Sequence, residues 1–356
     1  MAAIPMLPED ATAEVNALIA QIKEMEFSDE RESPYHDAMY KLKGHADDCV
    51  HWNKHYKDEL AETVLMTVIG AMMDEMEKHP LAGSVHYGGG HSSLIGDIGQ
   101  LVLSSGGRAQ RQERELLTRD KKAAIGNRMT DIVIGHFEKN EEPEDSNTSR
   151  KLFGQLMDVA NFSVYSQGYS SGNDTPLARV TQSLLKKMQG ASGKNKEGYG
   201  DSLEAIHTQK WIYTGDVSVE TGMLTKGLLG QADEIEAQDL VEAHDLEMVN
   251  KFRGIAYHAI MRQGSTDATQ ETAFTETADD ILRLAGKDPL KHADIINAFS
   301  HSKTALHLPQ HTAAASVFYR RSESLLVSIE DNAQDYEVAA SLLRIVQMPV
   351  LEAEPD

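Results

Sequence analysis

Apolar side chains in this chain recur every three to four residues, and that period limits the fold more than any other feature. Val15, Leu18, Ile19 and Ile22 fall on one helical face of segment 12–26. Leu60, Val64, Leu65, Val68, Ile69 and Met72 do the same over 56–78. Alternating β-branched stretches, the mark of half-buried strands, are scarce. Further helices are predicted over 110–138, 150–167, 176–189, 217–229, 237–263, 272–286, 290–300, 311–329 and 333–347. The expected fold class is therefore all-α.

At 356 residues the chain is long enough for two lobes. Pro5 and Pro8 precede the first helix, so residues 1–12 read as an N-terminal arm. Residues 139–149 form an acidic, polar loop around Pro143. Residues 190–201 are Gly-rich and partly basic, and read as a mobile loop. Residues 263–272 lack any large apolar side chain and read as a hinge. The expected division is an N-terminal lobe over 13–263, a C-terminal lobe over 264–346 and a C-terminal arm over 347–356.

The longest nearly apolar run, Val64 to Met73, is too short to cross a bilayer. No basic segment followed by an apolar core opens the chain, so no signal peptide and no membrane partner are expected. Cys49 is the single cysteine, which excludes an internal disulfide and a Cys-based zinc module.

His45, Cys49, His51 and His55 lie within eleven residues, and pairs of them share a helix face at i, i+4. The two pairs do not converge, so the stretch reads as an exposed or half-buried helix. His86-Tyr87-Gly88-Gly89-Gly90-His91 follows no convincing strand and reads as a turn between helices. Gly190 to Lys194 lacks P-loop spacing. No nucleophile elbow, HExxH pair or kinase set is present. No enzyme, metal or cofactor is expected.

Charge is uneven. The formal net charge of −22 weighs against a simple nucleic-acid binder. Residues 1–90 hold 17 acidic and 7 basic side chains, whereas 105–128 hold seven basic and three acidic. From Arg179 to Lys196 there are five basic residues and no acidic one. Arg111, Arg114, Lys121 and Lys122 recur at roughly helical spacing. Lys186 and Lys187 end a helix, Lys194 and Lys196 follow, and Lys210 sits beside Trp211 and Tyr213. Cations of this kind contact phosphates, and aromatic faces stack on unpaired bases.

Residues 281–321 carry a helix ending at Lys287, then His292-Ala293-Asp294, then His301 with Leu306 and Pro309. They end on Ala313-Ala314-Ala315-Ser316 leading into Val317-Phe318-Tyr319. Upstream, Lys226-Gly227-Leu228-Leu229 is followed by an acidic amphipathic helix and Gly254-Ile255-Ala256. In order and spacing this resembles nucleoproteins of non-segmented negative-strand RNA viruses, above all the bornavirus-, nyamivirus- and mymonavirus-like branch. The matches cover about a quarter of the chain.

The resemblance implies two helical lobes that clamp single-stranded RNA in a basic cleft, and subunits linked by exchanged terminal arms. It implies a virion nucleocapsid in the host cytoplasm or nucleus, with a viral polymerase or phosphoprotein-like cofactor as a further partner. By position it assigns Lys186, Lys187, Lys194 and Lys210 to the cleft from the N-terminal lobe, and Tyr319, Arg320 and Arg321 from the C-terminal lobe. The composition alone also fits an acidic helical scaffold that binds only protein, or a helical metalloenzyme built on the histidines.

Overall fold

The computed structural model describes residues 11–30, 32–52, 58–83, 93–107, 116–139, 146–165, 172–208, 218–238 and 243–262, with isolated positions between 322 and 343. Among the described residues the chain is helical and holds no strand. In order, the helices are α1 (Ala11–Lys23), α2 (Pro34–Trp52), α3 (Asp58–Lys78), α4 (Leu94–Gly107) and α5 (Arg119–Lys139). They continue with α6 (Ser146–Tyr165), α7 (Pro176–Gly190), α8 (Gly193–His207), α9 (Ser218–Glu236) and α10 (Ala243–Arg262). No described helix is long and apolar enough to cross a membrane.

Four helices start on the same device, a hydroxyl side chain that accepts from an amide of the first turn. Ser33 accepts from the His36 amide (3.1 Å), and Ser93 from Gly96 (3.3 Å). Thr118 accepts from Lys121 (3.4 Å), and Thr175 from Ala178 (3.1 Å). In α2 and α7 a proline follows directly, where a missing N–H has no helical partner to lose.

The chain divides into two compact units, Met1–Tyr169 and Ser170–Asp356. The boundary lies inside 13–263, which the sequence reads as one lobe. Its physical basis is that α1 to α6 pack among themselves and α7 to α10 do the same. The hinge expected at 263–272 and most of the C-terminal lobe expected over 264–346 lie outside the described residues. There, Ser322, Glu323, Leu326 and Val327 are helical within the helix expected over 311–329. The first helix begins at Ala11, so the last two residues of the arm expected over 1–12 are helical; residues 1–10 and the arm at 347–356 lie outside the described residues.

In the first unit, Met39, Leu42, Leu65, Ile69, Met72, Met76, Leu94 and Ile95 are fully buried. Cys49 is buried among them, and burial pushes its thiol up to about 12, so it is an inert core side chain. Phe27 stacks on His79 with ring centroids 3.9 Å apart and meets the edge of Tyr35 at 5.3 Å, which fixes the α1–α2 connection onto the end of α3. The Tyr35 hydroxyl donates to the buried carboxylate of Glu75 (3.0 Å).

In the second unit Phe252 is fully buried, as are Leu184, Leu203, Leu224, Leu228, Leu229 and Val249 of the four helices. Here the mobile loop expected at 190–201 is corrected: it is the link and first half of α8. Two of its glycines have separate structural roles. A Cβ on Gly200 would lie 2.6 Å from the Phe252 ring, so only glycine lets α8 approach α10 this closely. Gly193, at φ 51°, takes the left-handed conformation that turns the chain sharply from α7 into α8.

Candidate nucleic-acid interface

The basic residues singled out by sequence have different fates. Arg111, Arg114, Lys210, Tyr319, Arg320 and Arg321 lie outside the described residues. In the first unit, α5 faces α3, which is rich in carboxylates. Lys121 pairs there with Glu62. Arg128 reaches both Asp74 (2.7 Å) and Glu77 (2.8 Å), and hydrogen bonds to the two carboxylates raise its already high pKa. Lys122 is only 5% exposed. Lys121 and Arg128 thus help to hold α5 against α3.

In the second unit the cations gather at one corner. Lys186 is exposed and Lys187 half-buried on the last turns of α7. Two residues, Ala191 and Ser192, connect α7 to α8, and Lys194 is exposed on the first turn of α8. Lys196 turns inward and donates to the Gln231 side chain of α9 (2.8 Å). It is a structural member of the run and lies off the exposed surface.

The carboxylates of α8 are held from the other side. Lys251 of α10 hydrogen bonds to Glu197 (3.0 Å) and pairs with Asp201. The Lys251 contact pulls the Glu197 carboxyl below its ordinary value, and the field of Lys194 adds to this. Burial lowers the Lys251 ammonium, but its two carboxylate partners outweigh that and leave it raised. Arg253 similarly reaches Glu236 (2.9 Å). These pairs fasten α10 to α8 and α9, and they partly neutralise the acid nearest Lys194.

Behind the corner, His207 of α8 is fully buried beside Thr181 of α7, with Nε2 and Oγ1 2.8 Å apart. The Thr181 hydroxyl donates to the Leu177 carbonyl (2.8 Å), so it accepts from His207 and assigns the proton to Nε2. Burial pushes this imidazole down to about 4, so it is neutral at pH 7. It serves as a structural clasp between α7 and α8.

Lys226 is not among the candidate contact residues singled out from the sequence. It is exposed on α9, one residue before Gly227, where α9 crosses α7. The signal was available: a glycine flanked by Leu224, Leu228 and Leu229 in a helix marks a close crossing.

Among the described residues no group of three or more His, Cys, Asp or Glu side chains is placed to hold a metal ion. His45 lies 4.0 Å from Glu14, whereas the side chains of His51 and His55 and the segment His86–His91 lie outside the described residues. A pocket lined by Ile22, Leu42 and Glu75 has about 10 Å³ of space, room for one water. Exposed ammonium groups of this kind are chemically able to contact phosphate oxygens without reading bases. No known protein family, curated protein or solved structure matches this chain.

Proposed function

We propose that this chain is a nucleoprotein like those of non-segmented negative-strand RNA viruses. In this reading it binds and encapsidates single-stranded RNA without sequence specificity and polymerises through its terminal arms. The observation that carries the reading is the corner formed by α7 and α8. A run of five cations without a carboxylate, in a chain of net charge −22, leaves Lys186 and Lys194 exposed on consecutive helices. The ordered resemblance over 281–321 and the all-helical architecture of the described residues support the same reading.

The proposed RNA contacts are Lys186, Lys187 and Lys194, with Lys210, Tyr319, Arg320 and Arg321 as further members by resemblance. Arg111 and Arg114 stay in the set as the second basic stretch. Lys121 and Lys122 are weaker members, because the first pairs with Glu62 and the second is buried. Proposed partners are single-stranded RNA, further copies of the chain and a polymerase or phosphoprotein-like cofactor, in a virion nucleocapsid.

Electron micrographs and the 260/280 absorbance ratio of the purified protein, before and after nuclease, test the proposal. Polymers that carry nucleic acid and shorten or fall apart with nuclease are expected. Nucleic-acid-free particles unaffected by nuclease would instead establish an acidic scaffold that binds only protein, the reading favoured by the net charge.

A further inference from the structure

We infer that Glu197 of α8 is a competitor of phosphate for Lys194, and that Lys251 of α10 is the positioning residue that holds this carboxylate, together with Asp201, off that lysine. The inference rests on the RNA-binding reading above and deepens it, by naming what keeps one contact residue available.

The problem is set by composition. The chain carries 56 Asp and Glu against 34 Lys and Arg, so carboxylates outnumber cations. A carboxylate accepts charge-assisted hydrogen bonds from an ammonium group as a phosphate oxygen does. A lysine of this chain therefore stays open to a polyanion only where the acids beside it are engaged elsewhere.

Lys194, Glu197 and Asp201 stand at i, i+3 and i+7 of α8, on one face of the helix. Lys194 is exposed, and it makes no ion pair among the described residues. Glu197 lies within its field, as it does within that of His244 on the first turn of α10. The Glu197 carboxylate nevertheless bonds across to α10, where it accepts from the Lys251 ammonium (3.0 Å). Lys251 also pairs with Asp201. The close approach of the two helices makes this reach possible. Gly200 meets the buried Phe252 ring beside the pairs, one residue from Asp201 and one from Lys251. One half-buried ammonium thus engages both carboxylates of the face that carries Lys194. Without it, Glu197 is left one helical turn from Lys194, at a spacing where Lys and Glu pair on a helix.

The test uses the full chain, stripped of nucleic acid, and a fluorescein-labelled single-stranded RNA of mixed sequence titrated over a salt series. On a single strand, each lysine that stops neutralising a phosphate lowers the slope of log K against log salt by about 0.7. Lys251→Gln is expected to lower it by about that amount, as Lys194→Gln does, and Lys251→Arg, which keeps both pairs, to leave it unchanged. Adding Glu197→Gln and Asp201→Asn to Lys251→Gln is expected to restore the slope. A second variant leaves α10 intact. Gly198 is exposed, and a Cβ there meets nothing within 4 Å. Gly198→Glu places an unengaged carboxylate four residues from Lys194 and is expected to lower the slope likewise, whereas Gly198→Gln does not. Circular dichroism of each variant checks that the helices persist.

A slope that stays low in the triple variant makes Lys251 itself a phosphate contact and overturns the inference. An unchanged slope in folded Lys251→Gln overturns the role of Lys251, and an unchanged slope in Gly198→Glu or Lys194→Gln overturns the competition. In each of these cases RNA binding that Lys186→Glu with Lys187→Glu weakens leaves the RNA reading standing. If the unaltered chain binds no RNA at low salt, the RNA reading fails and the inference goes with it.

Discussion

The α3–α5 pair and the α7–α8–α9 corner carry similar numbers of cations and use them differently. In the first, Lys121 and Arg128 meet Glu62, Asp74 and Glu77 of the neighbouring helix, and Lys122 is buried. In the second, Lys186, Lys194 and Lys226 are exposed, whereas Lys251 and Arg253 hold the nearby carboxylates. A count of basic residues in a window does not separate these cases. Burial and the partners met on neighbouring helices both depend on tertiary structure.

The comparison can be broken or sharpened by substitution. The largest expected effect lies beneath the corner. Phe252→Ala removes the ring that fills the space beside Gly200, and it should cost about 3–5 kcal/mol, read by denaturant unfolding and by hydrogen exchange in α7 to α10. A cost below ~1 kcal/mol would mean that α8 is not fastened as described.

The next effect depends on pH. The unfolded chain protonates His207 near the ordinary 6.5, but the folded chain does so only near 4. Between these values the unfolded state holds more protons, so this residue's contribution to stability is full above 6.5 and is lost as pH falls toward 4. The slope is at most about 1.4 kcal/mol per pH unit. Comparing melting of the unaltered chain and His207→Gln at several pH values isolates it, and parallel curves would refute the buried, neutral clasp.

Charge reversal comes third. Lys186→Glu with Lys187→Glu should weaken single-stranded RNA binding about tenfold or more at low salt, with little change in unfolding free energy. The smallest effects belong to the first unit. Arg128→Ala should cost about 1 kcal/mol and Lys121→Gln about 0.5 kcal/mol, since their ion pairs are only partly shielded from water. Arg128→Ala should leave RNA affinity unchanged, and Lys121→Gln should lower it less than the α7 reversal does; a loss equal to that of the α7 reversal would erase the distinction between the two regions.

How much of the fold is legible in the sequence depends on where the apolar stripe is strong. Segments 12–26, 56–78, 150–167 and 176–189 foreshadow α1, α3, α6 and α7, because aliphatic side chains mark the inner face at helical spacing. In α4, Leu94, Ile95, Ile98, Leu101 and Val102 make such a stripe, and all are buried. Gly96, Gly99, Gly106 and Gly107 obscure it, because glycine lowers helix propensity. α8 is harder to read. Its buried face is Lys196, Gly200, Leu203, Ile206 and His207, and only two of these are aliphatic.

Of the candidate site, the cluster Lys186, Lys187 and Lys194 is legible as a local run of charge. The inward turn of Lys196 and the pairing of Lys121 are not, because their partners Gln231 and Glu62 are 35 and 59 residues away.

The central claim is that an acidic chain gathers a polyanion-binding surface at one helical corner. Its most direct test is titration of labelled single-stranded RNA with the nuclease-treated full chain from low to physiological salt, beside the Lys186→Glu, Lys187→Glu variant. The account predicts tight binding that weakens steeply with salt, and a variant that is folded but binds about tenfold or more weakly. Absence of binding at low salt, or equal affinity of the two proteins, would contradict it.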